Sequence, residues 1–217
     1  MPRWTKQHSV RAMGIYGNRV LPHIINTMCG MKVTHEYRKR VCADLFGEVL
    51  EIGFGSGLNV PFYPPAITKV TAIEPSDTAW RIASKRINAS SVPVERGELD
   101  AQRLPYPDAT FDAALTTWTL CTIPDPIAAL REVLRVLKPG GRLHFVEHGL
   151  APDPKVQRWQ HRFNGLERRL VGGCNLNRPI VALIEQAGFK VADVEEFYEK
   201  GAPKTVGADT LGSAIAA

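Results

Sequence analysis

Several patterns that identify a protein class are missing from this 217-residue sequence. No apolar run approaches the roughly 20 residues of a membrane span, and residues 1–14 lack the apolar core of a signal peptide. The four cysteines follow no metal-ligand or disulfide spacing, so the sequence predicts no metal site and no disulfide framework. We find no internal repeat. We therefore expect a reduced cytoplasmic protein, with peripheral membrane contact as the alternative.

Basic residues are concentrated in two segments. Residues 1–48 hold eight basic and three acidic residues, and residues 155–178 hold six basic and one acidic. Each segment is therefore net +5, and because the whole chain is also +5, the remainder is net −5. The two segments are either solvated helix faces or surfaces that attract an anionic substrate or lipid. They lack interleaved aromatics and any zinc-finger motif, so we expect no nucleic-acid partner.

Short apolar runs alternate with helical patterns from about residue 49 onward. Six runs read as strands, and TLGSAIA near the end is a candidate seventh; the six are EVLEI, KVTAIEP, VPVERGE, FDAALTTWTL, GRLHFVEHG and FKVADVEEF. The clearest helix, DPIAALREVLRVLKPGG, has Asp125 as its cap and Leu137 on its apolar face, and we expect it to stop at residues 139–141. This alternation predicts an α/β fold with a seven-stranded, mostly parallel sheet covered by helices on both faces.

Two helical segments lie outside this alternation. Residues 10–45 carry an apolar stripe that includes Met13 and Met28, and Pro22 should kink or restart the helix there. Residues 155–170 carry a second stripe: Val156, Trp159, Phe163, Leu166 and Leu170. Both stripes either pack against the main domain or form a lid or membrane contact. We divide the chain into a helical cap or lid over 1–48 and a main domain over 49–217, with a lid-like helical insertion at about 151–178.

The most informative segment follows the first strand and reads Glu51-Ile-Gly53-Phe-Gly55-Ser56-Gly57. A tight turn off a buried strand needs glycines for positive φ and for close approach of backbone to a ligand. The spacing differs from the G-x-G-x-x-G of dinucleotide binders, and prolines at 61, 64 and 65 keep the following helix short, which suits a pyrophosphate poorly. The carboxylate of Glu51 would repel phosphate and welcome an ammonium group.

Three further positions follow in order. Glu74 ends the second strand about 20 residues after the glycines, where a carboxylate can accept bonds from both ribose hydroxyls. The loop of residues 99–105 contains Asp100, Ala101 and Gln102 and is similar to loops that present a carboxylate to adenine. Phe111-Asp112 opens the fourth strand, which runs toward Thr117 and Trp118.

With these four positions, residues 49–148 resemble a class I S-adenosylmethionine-dependent methyltransferase. A narrower resemblance, over about residues 50–215, is to the methyltransferase-like thiol methyltransferases and their bacterial relatives; it rests on LNVPFYPP, TLCTIPDP, LRVLKPGG, VEHGLAPD, RWQHRFN and GGCNLNR. The resemblance implies S-adenosylmethionine as cofactor and S-adenosylhomocysteine as product. The cofactor residues that it implies are Glu51, Gly53, Gly55, Ser56, Gly57, Asn59, Glu74, Pro75, Ser76, Asp100, Ala101, Gln102, Thr117 and Trp118. Trp118 would offer a cation–π contact to the sulfonium.

The acceptor is expected to be a small molecule, either a thiol or a similar nitrogen or oxygen nucleophile, with a phospholipid amine as the alternative. His148, at the end of the fifth strand, is the candidate general base, and His161 is the second candidate. A thiol needs little help to ionise, so a base can also be absent. Cys121 and Cys174 are expected to be pocket wall or core. A protein that binds S-adenosylmethionine without transfer, and an NAD-dependent oxidoreductase, are the competing classes; the glycine spacing argues against the latter.

Overall fold

The computed structural model describes residues 16–97 and 99–216, and its centre is a seven-stranded sheet. The strands are β1 (Gly47–Ile52), β2 (Ile67–Ile73), β3 (Val94–Arg96), β4 (Phe111–Thr117), β5 (Leu137–His148), β6 (Phe189–Tyr198) and β7 (Ala208–Ala216). Their order across the sheet is β3-β2-β1-β4-β5-β7-β6. β1 to β5 are parallel, and β7 is antiparallel to both of its neighbours. The predicted Rossmann-like sheet, with its seventh strand, is confirmed.

The strand order reverses beside β1, because the chain builds β2 and β3 on one side of β1 and then places β4 on the other. In open parallel sheets, ligands bind outside the carboxyl ends of the strands at such a reversal. β1 and β4 lie inside the sheet with a strand on each side, and Leu50, Ala114 and Leu115 have no exposed surface. Their carboxyl ends, at Ile52 and Thr117, therefore project any following loop from a rigid base.

The described residues form six α-helices around the sheet: α1 (Leu21–Met28), α2 (Lys32–Cys42), α3 (Asp77–Asn88), α4 (Pro126–Val136), α5 (Pro154–Leu170) and α6 (Ile180–Gln186). The side chain of Asp125 accepts a hydrogen bond from the Ala128 N–H at 3.0 Å, which confirms it as the cap of α4. The predicted end of this helix was wrong, because Leu137 already belongs to β5 and pairs with Phe111. Pro139 disfavours a helical conformation at the residue before it, so the chain leaves the helix earlier.

The segment before β1 is helical, as predicted, over its described part. A π-helical turn at Tyr16–Val20 leads into α1, with Pro22 near the first turn, so the proline restarts the helix. Met13 lies outside the described residues. α2 then packs onto the sheet through Val41 and Cys42, which are buried in a core cluster with residues of β1, β2 and β4.

The apolar stripe of α5 is mostly exposed, so the first of its two alternatives, packing against the main domain, does not hold for most of it. Val156 is buried, but the exposed fractions of Trp159, Phe163, Leu166 and Leu170 are 53%, 43%, 57% and 55%. The stripe of the N-terminal helices is also largely exposed, at Tyr16, Val20, Ile24, Met28 and Met31. Periodicity identified an apolar face correctly, but the sheet is already covered by other elements. Among the described residues, no helix combines the length and apolarity needed to cross a membrane.

Candidate active site at the carboxyl edge of the sheet

The glycine turn after β1 needs glycine for two different reasons. Gly53, Gly55 and Gly57 have φ values of +71°, +57° and +73°, in the left-handed region that favours glycine. A Cβ at Gly53 would overlap the side chain of Thr119, so this glycine permits close packing inside the protein. Among the described residues, a Cβ at Gly55 would meet only the Gly53 carbonyl oxygen, at 3.8 Å. Gly55 therefore borders open space, where a ligand can approach the backbone.

Glu74 holds this turn against the end of β2. Its Oε2 accepts a hydrogen bond from the Gly55 N–H at 2.7 Å, and its Oε1 accepts one from the Ser76 N–H at 2.6 Å. Burial raises the pKa of Glu74, while the two backbone N–H groups act in the opposite direction. Ser76 in turn caps α3 by accepting from the Ala79 N–H. Each carboxylate oxygen of Glu74 accepts one backbone N–H, so each keeps a lone pair for a further donor.

Glu51 is the centre of a buried hydrogen-bond network. The amide of Asn59 donates to Glu51 Oε1 at 2.9 Å and to Thr117 Oγ1 at 3.0 Å. The Tyr63 hydroxyl donates to Glu51 Oε2. Burial raises the pKa of Glu51 to about 7, although the bonds from Tyr63 and Asn59 lower it. The structure thus brings together Glu51, Asn59 and Thr117, three of the residues predicted to hold the cofactor.

Arg38 of α2 extends this network and was not predicted. It is 3% exposed, and its Nη1 donates to Asn59 Oδ1 at 2.6 Å. Its Nη2 donates to the Cys29 carbonyl at 3.0 Å, and its guanidinium carbon lies 4.6 Å from the centre of the Trp118 ring. Among the described residues, Nε has no hydrogen-bond partner. A buried guanidinium with a free donor is a natural partner for a carboxylate.

Trp118 is held in an unusual backbone conformation at the end of β4. Its φ is +49°, which is uncommon for a residue other than glycine. The fully buried carboxylate of Glu147 accepts hydrogen bonds from the N–H groups of Thr119 and Leu120, each at 2.8 Å, and so fixes the turn. The indole Nε1 donates to Asp209 Oδ1 at 3.2 Å. The ring therefore has a fixed orientation at the edge of the site.

Beside Trp118, the fold assembles a cluster of two thiols and one imidazole. Cys121, His148 and Cys174 are all buried, and their potential ligand atoms lie within 4.8 Å of one another. Cys174 Sγ is 3.5 Å from His148 Nδ1. The Cys121 thiol and the His148 ring lower the pKa of Cys174; burial lowers the pKa of His148, but Cys174 raises it overall. Both cysteines are buried, as expected of pocket wall or core residues, but their approach to each other and to His148 was not predicted.

Comparison with known proteins agrees with this arrangement. Residues 50–145 match a family model described as a methyltransferase domain. The human thiol S-methyltransferase TMT1B is 31% identical over 174 residues, which cover 77% of this chain and 70% of that protein. The chain belongs to the class I S-adenosylmethionine-dependent methyltransferases.

Other relatives of this methyltransferase differ in the acceptor that their names state. The rat thiol S-methyltransferase TMT1B is 33% identical over 157 residues, covering 68% of this chain and 62% of that protein. The phosphatidylethanolamine N-methyltransferase of Cereibacter sphaeroides is 33% identical over 122 residues, which cover 54% of this chain and 60% of that protein. The chain thus spans less than two thirds of the length of these two relatives. A solved S-adenosylmethionine-dependent methyltransferase from Thermotoga maritima has a TM-score of 0.65 at 24% identity, covering 94% of this chain and 99% of that one, and shows the shared fold.

The residues of this methyltransferase fit the cofactor of its class. S-adenosylmethionine carries an ammonium group, a carboxylate and a ribose diol. Glu51 suits the ammonium group, Arg38 the carboxylate and Glu74 the diol, and Gly55, which is bonded to Glu74, borders open space. These assignments to individual residues stay predictions.

The loop predicted to contact adenine is closed by its own side chains. Asp100 Oδ1 accepts from the Gln102 backbone N–H at 2.9 Å and from its side-chain Nε2 at 3.1 Å. Gln102 Oε1 accepts from the Asp125 N–H at 3.0 Å, which ties the loop to the start of α4. Asp100 remains exposed, while Ala101 packs against the main core.

Two other predicted positions lie at the rim of the site. Pro75 is exposed beside Glu74, and Ser56 is buried within the glycine turn, where its carbonyl accepts from Arg86 at 2.8 Å. The second base candidate, His161, is exposed on α5, and its Nδ1 lies 2.9 Å from the Asn177 amide. His161 does not belong to the buried cluster around His148.

Proposed function

We propose that this methyltransferase transfers a methyl group from S-adenosylmethionine to a small-molecule thiol. The observation that carries the proposal is a set of buried polar atoms at the carboxyl edge of the sheet that lack partners among the described residues. They include His148 Nε2 on β5 and Asp209 Oδ2 on β7. An unpaired buried polar group costs about 1–3 kcal/mol, so these atoms fit a site in which a bound molecule completes the hydrogen bonding. The names of the thiol S-methyltransferase relatives support sulfur as the acceptor atom.

The cofactor would be held by charges of opposite sign at its two ends. Glu51 would accept bonds from the ammonium group, and the adjacent Arg38 would donate to the carboxylate. Glu74 would bind the ribose diol, and Asp100 with Ala101 would contact the adenine. When bound, S-adenosylmethionine supplies a methyl carbon that is already activated by its positively charged sulfur.

The protein's own contribution is then alignment and the exclusion of water. Glu147 fixes the turn that carries Trp118, and Asp209 fixes the indole ring. A rigid wall at this point can hold the acceptor in line with the methyl carbon, which is the main requirement of an in-line displacement. A thiol with a pKa of about 8.5 is a few per cent thiolate near neutrality, so the reaction does not depend on a base. The base role predicted for His148 stays a prediction.

The direct test is a panel of small thiols, amines and phenols incubated with the protein and radiolabelled cofactor, with methylated product as the readout. We expect labelled thioether from at least one apolar thiol. Product from amines alone would contradict the thiol proposal. Binding of S-adenosylhomocysteine without any transfer would support a non-catalytic binding protein instead.

A phospholipid amine is the second candidate acceptor, because of the exposed apolar surface on the helices. The Tyr16 hydroxyl on the π-helical turn donates to the Leu170 carbonyl at the end of α5, which joins the two apolar stripes. Trp159 and Phe163 stack with ring centres 5.4 Å apart. Apolar side chains flanked by basic residues are typical of helices that lie on anionic membranes. The phosphatidylethanolamine N-methyltransferase relative is named for such an acceptor.

Co-sedimentation with anionic vesicles at low salt tests this candidate. We expect binding that falls when Trp159 and Leu166 are both replaced by serine. Val194→Ser is the matched control, because Val194 is 47% exposed on β6, a strand that belongs to neither stripe. Absence of binding, or equal loss in the control, would exclude the lipid surface as the place of action.

A further inference from the structure

The structure assigns a second binding site to the cluster of Cys121, His148 and Cys174: we propose that these three side chains bind a thiophilic divalent cation such as Zn²⁺. They come from the turn after β4, the end of β5 and the segment after α5, so only the folded chain brings them together. Two thiolates and one imidazole form a donor set that zinc prefers, and three protein ligands leave a fourth position open for an exchangeable ligand.

The distances match a tetrahedral ion. With Zn–S near 2.3 Å and Zn–N near 2.0 Å, a tetrahedron has a sulfur–nitrogen edge of about 3.5 Å and a sulfur–sulfur edge of about 3.8 Å. The observed Cys174 Sγ to His148 Nδ1 distance is 3.5 Å, and the three potential ligand atoms all lie within 4.8 Å of one another. Small side-chain adjustments would therefore be sufficient to close the site around an ion.

The surroundings of the cluster supply the outer contacts that a metal site uses. A histidine that ligates through Nδ1 carries its hydrogen on Nε2, and metal-bound histidines normally donate that hydrogen to a carboxylate, a carbonyl or water. His148 Nε2 has no partner among the described residues, and neither does Asp209 Oδ2 on the strand paired with β5. Arg178 donates to the carbonyls of Leu120 and Ile123 and so places a positive charge beside the two thiols.

The next step rests on the proposed function: the acceptor thiol would bind at the open coordination position of the ion. A thiol that coordinates zinc gives its proton to solvent and is held as thiolate. Its sulfur would form a bond to the methyl carbon, while the bond from that carbon to the cofactor sulfur breaks and leaves its electron pair there. The products are a thioether and S-adenosylhomocysteine, and the neutral thioether is a weaker ligand that can leave. Cys121 is three residues after Trp118, and its Sγ lies 3.8 Å from the Trp118 carbonyl oxygen, so the cluster adjoins the turn at the carboxyl end of β4.

Cobalt substitution tests the site without measuring activity. The full chain, reduced and freed of metal with a chelator, is titrated with Co²⁺ and then with Zn²⁺. We expect one equivalent of Co²⁺ to give thiolate-to-cobalt charge-transfer absorption and tetrahedral d–d bands, both abolished by Zn²⁺. Cys174→Ser and Cys121→Ser should weaken binding by more than about 100-fold, since loss of an outer contact alone costs 10–100-fold. Cys29→Ser, which removes a thiol outside the cluster, should bind as the original protein does.

The outcomes separate this site from the proposed function. A folded wild-type protein that gives no thiolate–cobalt absorption, or a Cys174→Ser variant that binds Co²⁺ unchanged, would overturn the site. If wild-type protein methylates thiols equally well with and without metal, the coordination step is wrong although the methyl transfer stands. If it binds one Co²⁺ but methylates no thiol, the site stands and the thiol proposal fails. Circular dichroism of each variant checks folding, and His148→Ala gives a third ligand variant if a cysteine variant does not fold.

Discussion

Glu74 combines a structural contact with its predicted contact to the ribose. Replacing it with alanine removes the acceptor for the Gly55 and Ser76 N–H groups and two charge-assisted bonds to the diol, each worth about 1.5–3 kcal/mol. We expect Glu74→Ala to raise the dissociation constant for S-adenosylhomocysteine at least tenfold, measured by calorimetry, with the fold retained. Glu74→Gln should lose less, because the amide oxygen can still accept one backbone bond. An unchanged constant in the alanine variant would mean that Glu74 does not bind the ribose.

Gly55 permits a test with a matched control in the same chain. Gly55→Val should abolish cofactor binding, because its side chain would occupy the open space beside the turn and its φ of +57° disfavours a β-branched residue. Gly140→Val imposes the same kind of backbone strain at φ +78°, and no atom of the described residues lies within 4 Å of the added Cβ, but this glycine is near the start of β5. We expect both variants to lose stability in thermal melts and only Gly55→Val to lose binding. Retained binding in a folded Gly55→Val protein would contradict the proposed site.

At the scale of elements, the connection from β4 to α4 depends on one carboxylate of β5. Glu147→Ala would leave the N–H groups of Thr119 and Leu120 buried without their acceptor, at about 1–3 kcal/mol for each group. We expect the free energy of unfolding in urea to fall by more than about 2 kcal/mol and the turn carrying Trp118 to loosen. Glu147→Gln keeps one accepting oxygen and should lose less stability and less activity. Equal stability of the alanine variant and the original protein would show that another group can hold this turn.

For the whole molecule, the buried Glu51 makes stability depend on pH. Its pKa is raised from 4.5 to about 7 by burial, so between these values the unfolded chain releases a proton that the folded protein keeps. The free energy of unfolding contributed by this group therefore falls as pH rises from about 4.5 to 7, by up to about 3 kcal/mol. We expect Glu51→Gln to lessen the loss of stability between pH 5 and pH 7.5, measured by urea unfolding without ligand.

Binding of the cofactor should show the opposite trend with pH. Above about pH 7 the Glu51 carboxylate is charged and can attract the ammonium group, so affinity for S-adenosylhomocysteine should rise between pH 5.5 and 7.5. Glu51→Gln should bind more weakly and show a smaller rise. If Glu51→Gln keeps the full pH dependence of cofactor affinity, another group must cause that dependence.

The sequence predicted the sheet well because each strand is a short apolar run bounded by turn residues, a signal that needs no tertiary information. Leu137 was misplaced because it fits the helical spacing of α4 and also the first position of a buried strand. Its burial was predicted correctly, although its element was not.

The site residues that stand close together in one sequence motif could be predicted. Those that only the folded chain brings together could not. Glu51, Asn59 and Glu74 stand at fixed positions around the glycine turn. Arg38 lies among several basic residues of α2, and only the burial of its side chain distinguishes it. Cys121 and Cys174 are 53 positions apart, so no local spacing indicates that both reach His148.

The position of β7 has a consequence for how the chain is made. β7 follows β6 in the chain, yet it lies between β5 and β6, and among the described residues β6 pairs with no other strand. Until β7 is translated, β6 and the outer edge of β5 therefore present unpaired backbone to their surroundings, a condition that favours aggregation. The sheet of this enzyme can be completed only after β7 has been synthesised, and until then its open strand edges need protection.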